Sequence, residues 1–188
     1  MQPSSPLHGS SMSLGKQMAN IHHADDQPAT SSTSYGPLAH VLRMRSKEFG
    51  PWSAGVTISQ EMINQFGQLT GDNQWIHTDP EKAAARSMYG STIAQGFFTL
   101  SLLPAFQKDE LERVQRQLSG SLVHIKGSYQ FKRPVAAGST VHARGRICEA
   151  RQGPHNTVFV DYEYEIAVAC GKPAAIGTMV LLWTQRGM

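Results

Sequence analysis

Two short stretches of the 188-residue chain carry side chains suited to acid–base chemistry. The first is Thr70-Gly71-Asp72-Asn73-Gln74-Trp75-Ile76-His77-Thr78-Asp79-Pro80. A short loop can bring the Asp72 carboxylate and the His77 imidazole to one point, where both can hold a single water. Histidine is the side chain best poised to exchange a proton near neutral pH. The same spacing also suits a plain structural use, in which Asp72 caps the following turn and His77 satisfies a main-chain group. His77 and Asp79 are spaced like a metal pair, but no further His/Cys cluster completes a site.

The second stretch is Gly90-Ser91-Thr92-Ile93-Ala94-Gln95-Gly96-Phe97-Phe98-Thr99-Leu100. Free N–H groups at a helix start favour an anion or a developing oxyanion. Gly96 would let a substrate carbonyl approach the main chain closely. These glycines could equally serve helix packing alone. No Gly-Lys-Ser/Thr follows, so this is not a phosphate-cradling loop. A nucleophile elbow of the G-x-S-x-G type is missing as well. Arg144, Arg146 and Arg151, with Lys132 and Arg133, could meet phosphates or form a solvated face. Aromatic residues are not interleaved with them, so a nucleic-acid platform is not indicated.

The elements that must position these residues follow from periodicity. Trp52–Ser59 reads as a first strand. Ser59 then reads as an N-cap, with Met62, Ile63, Phe66 and Leu69 on one helix face and Gly71 as the stop. Asp79-Pro80-Glu81 opens a short helix through Arg86, with Asp79 as cap and Pro80 in its first turn. Ile93–Phe106 is apolar almost all round, which predicts a long helix buried on every side. Val123–Phe131, Val141–Ile147 and Val158–Val168 alternate apolar residues with polar or small ones, and Ala174–Trp183 is a fourth run, with short turns at Gln152-Gly153-Pro154 and Cys170-Gly171-Lys172. Period 2 with such turns predicts an antiparallel meander. The expected fold is α+β: a curved antiparallel sheet of about five strands wrapped around one long central helix, the hot-dog arrangement. No internal repeat is present, so one such unit is expected.

Composition narrows the classes. Lys and Arg total 17 against 14 Asp and Glu, and the net charge of +3 suits anionic small ligands without demanding nucleic acid. No run approaches the ~20 apolar residues of a membrane span. Two cysteines, Cys148 and Cys170, make neither a disulfide framework nor a four-cysteine zinc site. No apolar run opens the chain, so a secretory signal is not expected and a cytoplasmic setting is. Residues 1–37 are rich in Ser, Pro, Gly and Gln, and read as a disordered extension before a domain at 38–188. Within that extension, His22-His23 beside Asp25-Asp26 could ligate a metal, or belong simply to a polar tail.

Taken together, Asp72 to His77 and Ile93-Ala94-Gln95-Gly96 resemble the MaoC-like, (R)-specific enoyl-CoA hydratase family. That signature runs Ser/Thr-Gly-Asp, Asn-Pro, His, Asp, then Ile-Ala-His-Gly ahead of the hot-dog helix. The resemblance covers roughly 52–184, and Phe131-Lys132-Arg133-Pro134-Val135 with Gly138 is similar to the family's later strand and turn. Two departures stand out. Gln74-Trp75 replaces Asn-Pro, and Gln95 replaces the His before the helix glycine. Gly-Asp-x-Gln-Trp-Ile-His, with Gly-Phe-x-Thr-Leu-Ser-Leu-Leu-Pro, looks more like the 3-hydroxyacyl-thioester dehydratases and nodulation protein N relatives.

The resemblance implies reversible hydration of trans-2-enoyl thioesters in fatty-acid metabolism, with Asp72 and His77 catalytic. It implies that Gly96 binds the thioester carbonyl, that Gln74 and Gln95 lie beside the substrate, and that the acyl tail runs past Ser101 and Pro104. It implies no metal or other cofactor, a CoA or acyl-carrier-protein thioester as partner, and a homodimer. Two other readings share the fold: a hot-dog thioesterase, and a non-catalytic acyl-thioester-binding protein in which Gln95 marks a decayed site. A structural dimer module that binds no acyl thioester is a third.

Overall fold

A computed structural model describes residues 37–109, 120–155, 157–169 and 171–184. The expected extension, its His22-His23 pair and Cys170 lie outside the described residues, except that Pro37 opens the first helix. The elements run α1 (Pro37–Arg43), β1 (Val56–Thr57), α2 (Gln60–Thr70), α3 (Trp75–Thr78), α4 (Pro80–Arg86), α5 (Gly96–Ser101) and α6 (Leu103–Phe106). Four long strands follow: β2 (Ser121–Phe131), β3 (Thr140–Gln152), β4 (Thr157–Val168) and β5 (Pro173–Thr184).

The strands form one five-stranded antiparallel sheet in the order β1-β3-β4-β5-β2. Alternation drives it. Val141, Ala143 and Ile147 of β3, Val158, Val160, Tyr162, Tyr164 and Ile166 of β4, and Met179, Leu181 and Trp183 of β5 turn to one face and are buried there. Phe98, Leu103 and Phe106 join them in the core from the helices. The opposite face carries cross-strand ion pairs. Arg144 meets Glu165 at 2.8 Å, Arg146 meets Glu163 at 2.6 Å and Arg151 meets Asp161 at 2.6 Å. Of the five cations left open by the sequence, these three therefore belong to a paired outer face.

The local signals hold where they rest on caps. The Ser59 side chain accepts from the Met62 amide at 3.2 Å, and Gly71 ends α2 at φ 80°. Asp79 Oδ1 accepts from the Lys82 amide at 2.9 Å, with Pro80 in the first turn of α4. Asp79 is thus occupied as a helix cap rather than paired with His77 on a metal.

Four expectations are corrected. The first strand shrinks to β1. Ahead of it, Ser53 bonds β3 through its amide to the Ala143 carbonyl at 2.8 Å without continuing the ladder. The meander holds for β3, β4 and β5, but among the described residues β2 pairs with β5 alone, at the edge of the sheet. Leu69 is 85% exposed, and the inward face of α2 is Ile63 and Gly67 flanked by Met62 and Phe66.

The fourth correction concerns the long helix, which starts at Gly96 and breaks at Leu102. Pro104 cannot donate to the Leu100 carbonyl, and the Leu102 amide bonds that carbonyl instead. Ile93 and Ala94 are extended: Ile93 pairs with Ala136, and the Ala94 amide donates to Val135 at 2.8 Å. Nor is the helix wrapped on every side, since Phe97 is 59% exposed.

Candidate active site

The site forms where α2 ends, α3 turns and the extended Ile93–Gln95 stretch enters α5. Gly71 reverses the chain after α2, and α3 then carries His77 beneath the loop. His77 is buried, and its Nδ1 lies 2.7 Å from the Ile93 carbonyl oxygen. A carbonyl only accepts, so Nδ1 holds the proton and donates. In the neutral ring, Nε2 then presents a bare lone pair. Opposite it stands Asp72 Oδ2 at 3.9 Å, beyond direct hydrogen-bond reach. Both facing atoms are acceptors. The gap therefore fits a molecule with two O–H donors, which can bridge them.

Glutamine side chains hold this arrangement. Gln74 Nε2 donates to Asp72 Oδ1 at 3.0 Å and leaves Oδ2 for the gap. Gln60 Nε2 donates to the His77 carbonyl at 2.7 Å, and its Oε1 accepts from the Thr92 hydroxyl. Gln95 is only 2% exposed, and its Nε2 donates at 3.2 Å to both the Ile63 and Asp72 carbonyls. Gln95 thus touches main chain and lines neither cavity described below.

His77 lines a cavity of about 360 Å³ together with Gly96, Thr99, Phe131, Lys132 and Arg133. Gly96 is the first residue of α5, where helical geometry leaves amides without intrahelical partners. A methyl group at position 96 would come within 2.6 Å of the Phe131 ring, so only glycine leaves this approach open. Arg133 is braced through Nε to the Pro173 carbonyl at 2.7 Å. Among the described residues neither Lys132 nor Arg133 forms an ion pair, unlike the arginines of β3, and no carboxylate lines this cavity.

Ser101 and Pro104 lie elsewhere. They line a second cavity of about 650 Å³ with Phe66, Leu100 and Met179. Phe97, Tyr129 and Phe131 form a cluster of rings with centroids 5.1–6.1 Å apart. Phe131 faces the first cavity, whereas Phe97 and Tyr129 face the second. Of the expected site residues, then, Asp72, Gln74, His77, Gln95 and Gly96 come together, and Ser101 and Pro104 do not join them. Gln60, Thr92 and the Ile93 carbonyl were not foreseen. Gln60 follows a helix cap, where a polar residue reads as surface, and a carbonyl leaves no mark in sequence.

The MaoC-like domain profile matches residues 51–169, which includes every residue of the dyad and its supports. The chain belongs to the MaoC-like domain family. It is 36% identical over 129 residues to 3-hydroxyacyl-thioester dehydratase Z of Mycobacterium tuberculosis, covering 67% of this chain and 82% of that protein. Nodulation protein N of Rhizobium meliloti is 32% identical over 146 residues, covering 77% and 89%. In three dimensions, an (R)-hydratase from A. caviae superposes with a TM-score of 0.58 at 22% identity, over 72% of this chain and 96% of that one. The structural likeness is one of fold, and the fold is the single hot dog expected from the sequence.

Gly96→Ala is expected to lower thermal stability, by about 1–3 kcal/mol, through overpacking against Phe131. Phe131→Leu in the same chain should recover most of the loss. Thermal unfolding of the two variants checks this, and a Gly96→Ala protein as stable as the parent would contradict the close approach.

Proposed function

We propose that this MaoC-like chain is a hydro-lyase, interconverting trans-2-enoyl thioesters and (R)-3-hydroxyacyl thioesters. The observation that carries the proposal is the pair of facing acceptors. His77 Nε2 and Asp72 Oδ2, 3.9 Å apart, suit one water donating to both. The dehydratase and hydratase relatives support the reaction class.

In the hydration direction, the water oxygen bonds C3 as a water proton passes to the dyad. Electrons move through C2 to the thioester oxygen, and the resulting enolate is met by the Gly96 N–H. Collapse of the enolate takes a proton at C2. The net change is addition of H2O across the double bond, and dehydration is the reverse. His77 is the general base and acid, and Asp72 orients the water and balances the imidazolium. No step in this scheme needs a redox or metal cofactor.

The rest of the site fits a thioester. The larger, mainly apolar cavity with Ser101 and Pro104 takes the acyl tail. Lys132 and Arg133 at the mouth of the His77 cavity suit the phosphate of a pantetheine arm, whether on CoA or on a carrier protein. We also propose a cytoplasmic setting for the chain.

We further propose a homodimer joined along β2. Among the described residues its outer edge has no strand partner, which leaves amides and carbonyls unpaired. Val123, Ile125, Tyr129 and Phe131 on it are 43–50% exposed, and Phe97 lies beside them. A second copy would cover this apolar face with isologous contacts.

With crotonyl-CoA and octenoyl-CoA, the wild-type chain should remove the ultraviolet enoyl-thioester band. Asp72→Asn and His77→Ala should each lower kcat by about 100-fold or more. Free thiol release without loss of that band would indicate a thioesterase, and binding without turnover a non-catalytic binder. Sedimentation should give twice the 20.6 kDa chain mass. Tyr129→Asp should shift the protein to single chains, and a wild-type monomer would contradict the β2 interface.

A further inference from the structure

Gln95 occupies the place where the family signature carries histidine, yet its side chain does not open onto either cavity. It is 2% exposed and spends both amide hydrogens on main-chain carbonyls: Ile63 in α2 and Asp72 in the loop, each at 3.2 Å. The orientation of this amide is dictated. Turned over, Oε1 would face two carbonyl oxygens and repel both. In the orientation seen, Oε1 is buried with no partner among the described residues. An unpaired buried acceptor is unfavourable, so the two donor bonds are retained against that cost.

The surroundings are shaped for this clamp. Gly67 presents bare backbone to it. A methyl there would lie 2.9 Å from the Asp72 carbonyl and 3.2 Å from Gln95 Nε2. Gln95 also precedes Gly96 directly. One residue therefore ties the carboxylate's loop to the amide that faces the substrate carbonyl.

Gln60 does the same for the other half of the dyad. Its Nε2 donates to the His77 carbonyl at 2.7 Å and to Asn64 Oδ1 at 2.8 Å. Its Oε1 accepts from Thr92, next to the Ile93 carbonyl that holds the His77 ring. Each dyad residue is thus gripped by its own carbonyl, through an uncharged amide that leaves the reacting side chain untouched.

From this geometry we infer that Gln95 and Gln60 are positioning residues, acting through the main-chain carbonyls of Asp72 and His77 to set the width of the water gap. The inference rests on the dyad reading given above. It also accounts for Gln95 as a working substitute for the family histidine. A single planar NH2 group can hold two carbonyls at once, whereas each imidazole nitrogen carries at most one hydrogen.

The test is a double-mutant cycle with crotonyl-CoA, using active-site concentrations corrected for folded protein. Gln95→Met keeps the length of the side chain and removes both donors. It should lower kcat by about 10–100-fold, since small misplacement of a reacting group has effects of that size, with KM changed less than threefold. Gln95→His, which keeps one donor at a time, should fall between wild type and Gln95→Met. In an Asp72→Asn chain, Gln95→Met should cause no further loss, because the group it positions is already disabled.

Equal fractional losses in both backgrounds would mark a purely structural role and overturn the inference, as would a Gln95→Met enzyme with wild-type kcat. Should Gln95→Met not fold, Gln60→Met with His77→Ala forms the matching cycle, with the same two outcomes. Failure of the dyad reading is separable: in that case Asp72→Asn and His77→Ala would themselves keep wild-type rates.

Discussion

The bond from His77 Nδ1 to the Ile93 carbonyl is the constraint on which the site depends. At 2.7 Å and buried, it leaves the ring one tautomer and one orientation. Everything on the reactive side follows. Nε2 becomes an acceptor, Asp72 Oδ2 opposes it as a second acceptor, and the 3.9 Å between them suits a donor of two hydrogens. Were the other nitrogen protonated, Nε2 would face the carboxylate as a donor, and one molecule could no longer donate to both groups.

That bond in turn depends on backbone that declines to be helical. If α5 began at Ile93, the Ile93 carbonyl would face along the helix to accept from Phe97. Instead Ile93 and Ala94 are held extended by Ala136 and Val135. The carbonyl is thereby available to His77, and the helix starts at Gly96, beside the cavity. Sheet, loop and helix start are thus coupled: β2 supplies Phe131 against Gly96, the turn after it supplies Val135, and α2 supplies the carbonyl that Gln95 ties to Asp72. The fold's broad layering could tolerate many sequences, but this register of main-chain groups could not.

Much of this was legible in sequence, and the physical reason is locality. Ser59, Gly71 and Asp79-Pro80 act on amides within their own turn, so their meaning does not depend on distant partners. Alternation marked β3 and β4 because one face of each is buried and the other wears paired charges. Asp72, His77 and Gly96 were readable as a group through their motif. What escaped was set by tertiary context. Ile93 and Ala94 are apolar and read as helix, and only Val135 and Ala136 make them extended. Leu69 fits a helix face by spacing, but Gly67 faces inward because the Asp72 loop needs the room. Pro104 did carry the signal for the break at Leu102, which the continuous apolar pattern outweighed. Ser101 and Pro104 line a separate apolar cavity with Phe97 and Tyr129, because they lie at the far end of α5 from Gly96. Gln60 was indistinguishable from an ordinary surface residue of a first turn.

The most direct test of the central claim is the protonation of the His77 ring in the free protein, read by nitrogen-15 NMR of labelled histidine. Comparison with His77→Ala picks this ring out of the eight histidines. The account predicts a neutral ring at high pH with hydrogen on Nδ1 and a bare Nε2. Hydrogen on Nε2 with a bare Nδ1 would contradict it, because the facing pair of acceptors on which the proposed water site rests would be gone.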